Sequence, residues 1–119
     1  MIKFHFTSYI IMQFIPIQFK FLVYHGMAMY PFLFLKNKNL VYDKIFINHE
    51  RIHFRQQLEM LIIPFYLIYF TEYLANLWHY RNHEMAYLNI CFEREAFENQ
   101  HNLEYLNDRK FWAFLNFWN

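Results

Sequence analysis

The sequence predicts a mostly helical α+β domain, with a small apolar sheet or hairpin packed beside one central helix. Three observations carry this. Glycine occurs once, at Gly26, and proline three times, which is few turn residues for a sheet-rich fold. Residues 43–63 repeat apolar and histidine positions at a helical period. Residues 1–42 are apolar and aromatic and alternate in places, which suits strands. The 119 residues can enclose one modest core and are too few for two, so 1–119 is read as a single domain.

Two readings compete over residues 1–24. Tyr9, Ile10, Met12, Gln13 and Ile17 suit a helix that Pro16 interrupts. Ile15, Ile17, Phe19, Phe21 and Val23 alternate with Pro16, Gln18, Lys20 and Leu22, and on that pattern a strand is assigned to 17–24. Tyr30 to Lys36 reads as a second strand, with Pro31 at its start favouring a sheet edge. Asn37-Lys38-Asn39 is turn chemistry, and Leu40-Val41-Tyr42 a brief return strand. Asp43 then caps a helix expected to run to Ile63, since Pro64 disfavours helical geometry before it. A second helix follows over 65–81. Asn82 caps a third that runs to about Asn102, and Asp108 caps an aromatic C-terminal helix over 109–118.

Composition removes several function classes. A net charge of +1 gives no electrostatic footprint for nucleic acid. An aromatic content of 24% is not that of a disordered chain. Cys91 is alone, so no intrachain disulfide forms and the redox compartment is unconstrained. The most apolar run, Met60 to Thr71, is 12 residues long, against the ~20 of a membrane span. It is read as a buried core helix, with membrane association of 58–78 and 109–119 as the alternative. The C-terminal helix is read as a plug on the core, again with a membrane interface as its alternative. The N-terminus lacks a small-residue cleavage site and is broken by His5, Gln13, Gln18 and Lys20, so no signal peptide is expected. A cytoplasmic or a membrane-associated location both stay open.

The chemistry concentrates in His49-Glu50-Arg51-Ile52-His53. Residues four apart share a helix face, so His49 and His53 can turn ring nitrogens to one metal ion. Glu50 lies one step round the helix, beside the ion, where it can take a proton from a water. A catalytic zinc needs a third protein ligand and an open position. The third helix offers Glu93-Arg94-Glu95-Ala96. Glu93 and Glu95 are two apart and face nearly opposite ways on a helix, so both cannot serve one ion.

This pairing, His-Glu-x-x-His with a downstream Glu-x-x-Ala on a helix, resembles the gluzincin branch of the zincin-like metallopeptidases. The likeness covers about residues 43–100. It also resembles small uncharacterised bacterial proteins with a histidine-motif helix and a Phe-Glu-Arg-Glu-Ala helix. The resemblance implies a minimal zincin-like domain and Zn²⁺ held by His49, His53 and Glu93. Ala96 would let the two helices approach. Hydrolysis of a peptide or protein substrate would use Glu50 as general base. A tyrosine or histidine would steady the oxyanion, with Tyr87 the candidate, and an edge strand would hold extended substrate, with Tyr30 to Lys36 the candidate. Phe97 stands where such families often carry the Asp or Asn that orients a metal histidine. Glu98, Glu84 and Asn48 are the available replacements, while Gln56 and Gln57 could hydrogen-bond substrate or the third helix, with a structural role favoured.

Two other readings compete. Glu50-x-x-His53 and Glu98-x-x-His101, with Glu72, could supply part of a di-iron bundle. Alternatively the protein is not an enzyme, its metal site is structural or vestigial, and its aromatic surface serves a membrane or a partner.

Overall fold

The computed structural model describes residues 14–118. The helical alternative weighed for Tyr9 to Gln13 therefore falls largely outside the described residues. Three short strands come first: β1 (Ile15–Gln18), β2 (Gly26–Met29) and β3 (Phe32–Leu35). A 3-10 turn (Lys38–Tyr42) leads into α1 (Lys44–Met60) and α2 (Ile62–Tyr80). Three shorter helices follow, α3 (His83–Leu88), α4 (Cys91–Asn99) and α5 (Tyr105–Asp108), and a 3-10 segment (Ala113–Phe117) closes the chain. The fold is mostly helical α+β, as the sequence predicts.

β3 is the central strand. It pairs in parallel with β1 and antiparallel with β2. The expectation that Tyr30 to Lys36 forms an edge is thus overturned, because both sides of β3 are already paired and Pro31 sits in the turn before it. β2 escapes sequence reading: Gly-Met-Ala-Met carries no β-branched or aromatic signal. The first strand ends at Gln18, earlier than Tyr24, as the chain turns at Lys20 and Phe21. Leu40 to Tyr42 is a 3-10 turn, not a return strand. The Asn37 side chain accepts the Asn39 N–H, and the Leu40 N–H bonds to the Asn37 carbonyl, which curls the chain at once.

α1 is capped as predicted, Asp43 Oδ1 accepting the Phe46 N–H at 3.1 Å. It ends at Leu61, before the expected stop. There the chain bends by 112° through a left-handed φ of 69°, a conformation costly for leucine. Pro64 falls in the first turn of α2, where its missing N–H costs nothing. The predicted helix 82–102 is split. Asn82 does cap it, accepting the Met85 N–H, but Asn89 and Ile90 break it and Ile90 is extended. The Glu72 carboxylate then accepts the Cys91 N–H at 3.1 Å and restarts the helix. Asp108 ends α5 and caps nothing, because the extended Arg109 turns its guanidinium into the interior.

α1 lies between three apolar clusters. Ile47 and Phe54 meet Ala28, Leu33 and Leu35 of the sheet. Ile52 meets Ala96 and Leu106 on the other flank, so Ala96 stands where the two helices come close. Phe65, Ile90, Cys91, Phe92 and Phe114 form the third cluster. Phe114 and Ala113 are buried, so the C-terminal segment plugs the core in part, while Phe111, Leu115 and Trp118 stay exposed. α2 is not the buried core helix expected from its composition: Phe65 alone is fully buried.

Candidate metal centre

α1 turns six polar side chains inward: Asn48, His49, Glu50, His53, Gln56 and Gln57 are all buried. Burial of this kind is costly unless each group finds a partner. The centre of the arrangement is a triangle of donor atoms. His49 Nε2 and His53 Nε2 are 3.2 Å apart, and each lies 3.1 Å from Glu93 Oε1. The one-turn spacing of the histidines places both rings on one face, and Glu93 in the first turn of α4 meets them there.

The protonation of the rings follows from their far nitrogens. His53 Nδ1 is 2.8 Å from Gln56 Oε1. The orientation of that amide is fixed, because its Nε2 donates to the Phe92 carbonyl at 3.1 Å and to Glu95 Oε1 at 2.9 Å. An amide oxygen only accepts, so His53 Nδ1 carries a proton and the neutral ring presents a lone pair at Nε2. His49 Nδ1 likewise lies 2.9 Å from Gln100 Oε1. When both rings are neutral with the proton on Nδ1, two nitrogen lone pairs and a carboxylate oxygen face one another, an arrangement that could hold a metal ion. Zinc bonds of about 2.0–2.1 Å in tetrahedral geometry put ligand atoms about 3.3–3.4 Å apart. The observed triangle is close to that size.

A proton feels the same field. Burial opposes the charged form of His53, yet the facing Glu93 carboxylate, its hydrogen bond and nearby Glu50 outweigh this and raise the pKa to about 9. Burial alone would raise Glu93, but His53 and His49 hold its carboxyl well below the usual range. Tyr69 donates its hydroxyl to Glu93 Oε2 at 2.6 Å. That leaves Oε1 for the histidines.

Glu50 differs from its neighbours. Its Oε2 is buried without a hydrogen-bond partner among the described residues. Burial raises its pKa, opposed by His53 and His49. With His53 and Glu93 it lines a cavity of about 350 Å³. The rest of the wall is apolar or aromatic, including Leu22, Met27, Phe65 and Tyr87. Burial also raises the Tyr87 hydroxyl pKa, which keeps it a proton donor.

Glu95, the rival to Glu93, faces the other way. Arg109 Nε approaches its Oε2 at 2.5 Å, and Arg109 also reaches Glu59 Oε2 at 2.6 Å. Tyr105 donates to Glu95 as well. A buried line thus runs from Arg109 through Glu95 and Gln56 to His53. The candidates offered to orient the histidines are not brought to them. Asn48 Nδ2 donates to the carbonyls of Gln100 and Asn102 beyond α4, and Glu84 and Glu98 are exposed. Gln57 bonds β2 rather than the third helix: it donates to the Ala28 carbonyl and accepts the Tyr30 N–H. The di-iron set is not assembled, since Glu98 and His101 are exposed and Glu72 caps α4.

Sequence reasoning missed Tyr69, Gln100 and Arg109. Nothing local marks them, because each acts across a long chain separation. No family model, curated protein or solved structure matches this chain.

Proposed function

We propose that the protein is a zinc-dependent hydrolase of peptide bonds, with His49, His53 and Glu93 holding the ion and Glu50 acting as general base. The observation that carries this reading is the triangle of His49 Nε2, His53 Nε2 and Glu93 Oε1, with the Nδ1 of His53 bonded to Gln56 and that of His49 to Gln100. A zinc ion at such a site polarises a carbonyl and acidifies water. Glu50, buried on the cavity wall with one oxygen unpartnered, is placed to hold the proton and return it to the leaving amine. The apolar wall suits a hydrophobic side chain beside the scissile bond, and the Tyr87 hydroxyl is available to steady the developing oxyanion.

The competing reading is a structural zinc site without catalysis. Structural sites close the shell with four protein ligands. Among the described residues three donors converge, which favours an open position.

Elemental analysis of the purified protein should find about one zinc per chain, and His53→Ala should lose it. No zinc after purification without chelator would remove the metal reading. Glu50→Gln should keep the zinc and slow peptide turnover by about 10²–10⁴-fold; undiminished turnover would strip Glu50 of its role.

A further inference from the structure

The polarity of α2 is reversed for a helix on the surface of a water-soluble domain. Its inward face is the polar one. Tyr66 donates to the Ala28 carbonyl, Tyr69 to Glu93, and Asn76 to the Ala86 carbonyl. Tyr73 bonds His83, and Glu72 accepts the Cys91 N–H. Every hydrogen-bonding side chain between Tyr66 and Asn76, except Thr71, is thereby bonded to another part of the protein, Tyr73 at the surface. The outward face is Ile63, Leu67, Phe70, Leu74 and Trp78, a stripe at helical spacing whose members are 48–77% exposed. Glu72 is the sole charged residue from Ile62 to Tyr80, and it points inward.

From this inverted face we infer that α2 lies in the interface of a lipid bilayer, with its outward stripe immersed in acyl chains. Three observations favour lipid over a protein partner. The stripe spans the 16 residues from Ile63 to Trp78, about 24 Å of helix, with the Thr71 hydroxyl and the Trp78 indole N–H as its polar groups. A protein interface of that extent carries roughly one hydrogen bond per 100–200 Å². The stripe ends in an interfacial anchor: the Arg81 guanidinium stacks 4.9 Å from the Trp78 ring, as aromatic and cationic side chains do at headgroup depth. The apolar surface also continues past the helix, where Met29 and Phe32 of the sheet flank recesses beside Leu61 and Ile63. Immersion is in-plane: among the described residues no single helix is long and apolar enough to cross a membrane, and in the bent pair α1 and α2, which reaches that length together, α1 is buried in the protein with its polar side chains inward. The inference does not rest on the metal site.

The test is co-flotation of the full-length protein with phosphatidylcholine vesicles. Wild type should rise with the vesicles, and Leu67→Lys/Leu74→Lys should cut the bound fraction at least tenfold. Both positions face outward, and near-ultraviolet circular dichroism checks that the variant is folded. Independently of the lysine variant, Trp112→Phe/Trp118→Phe leaves Trp78 as the lone reporter. Its emission should shift to the blue and be quenched by brominated acyl chains. A wild type that stays at the bottom of the gradient overturns the inference, as does equal flotation of wild type and lysine variant. So does a dimer in buffer that the lysine pair dissociates without any vesicle binding, which would assign the stripe to a second copy of the chain.

Discussion

The two helices on either side of the bend at Leu61 both turn polar side chains inward, and they differ in how much apolar surface they leave exposed. α1 holds two histidines, two glutamines, an asparagine and a glutamate inside the protein. α2, richer in apolar side chains, leaves Ile63, Leu67, Phe70 and Leu74 in the open. The difference shows that burial here follows where hydrogen bonds can be satisfied, not hydropathy. Those six side chains of α1, Glu50 apart, are matched by carbonyls, amides and carboxylates from α4, the sheet and the segment after Asn99. α2 contributes its own polar face to the same interior and has only apolar surface left to present outward.

The largest expected effect lies where buried charge is concentrated. Arg109 neutralises Glu95 and Glu59, with the side chains of Arg109 and Glu95 fully buried and that of Glu59 nearly so. Arg109→Met leaves uncompensated carboxylates in the interior and should cost about 3–5 kcal/mol in urea unfolding. Arg109→Met/Glu95→Gln should recover part of that. A loss below about 1 kcal/mol would mean that water reaches the pair.

The contrast between the helices can be measured with one truncation in each. Ile52 is fully buried against Ala96 and Leu106, and Ile52→Ala should cost about 2–5 kcal/mol. Leu67→Ala on the outward face of α2 should stay within about 0.5 kcal/mol in buffer without lipid. Equal losses at the two positions would break the comparison.

Next comes the link between polar burial and metal affinity. Gln56 fixes the His53 tautomer and is itself fixed by Phe92 and Glu95. Gln56→Ala should weaken zinc binding about 100-fold, measured by competition with a chelator of known affinity. Gln56→Glu should be no rescue, since a carboxylate there would face the Glu95 carboxylate and the Phe92 carbonyl.

Much of the frame could be read from residues near in sequence. Asp43 capping α1 and the shared face of His49 and His53 are local or one-turn relations. What could not be read depends on long-range pairing. Ile90 breaks the third helix because Glu72, far upstream, captures the next N–H. Arg109 is extended because two distant carboxylates hold it. Gln100 orients His49 from beyond the end of α4, where no spacing rule applies. The exposure of α2 was hidden for the same reason, since an apolar run reads as core until its polar residues are seen to bond inward.

The smallest of the expected effects joins the two helices. The Tyr69 hydroxyl, on the inward face of α2, is 2.6 Å from Glu93 Oε2. Removing it in Tyr69→Phe changes little in volume and nothing on the outward stripe. Two consequences oppose each other: Glu93 becomes a more basic ligand, which favours the ion, and it loses the donor that holds its carboxylate in one rotamer. Orientation should win, because the carboxylate is buried and the short bond from Tyr69 holds Oε2. Zinc affinity should therefore fall about tenfold, the lower end of what outer partners of a metal ligand contribute, with unfolding unchanged within about 1 kcal/mol. Tighter zinc binding in Tyr69→Phe would show that α2 holds Glu93 back from the ion, and the polar face of α2 would then need another reason to turn inward.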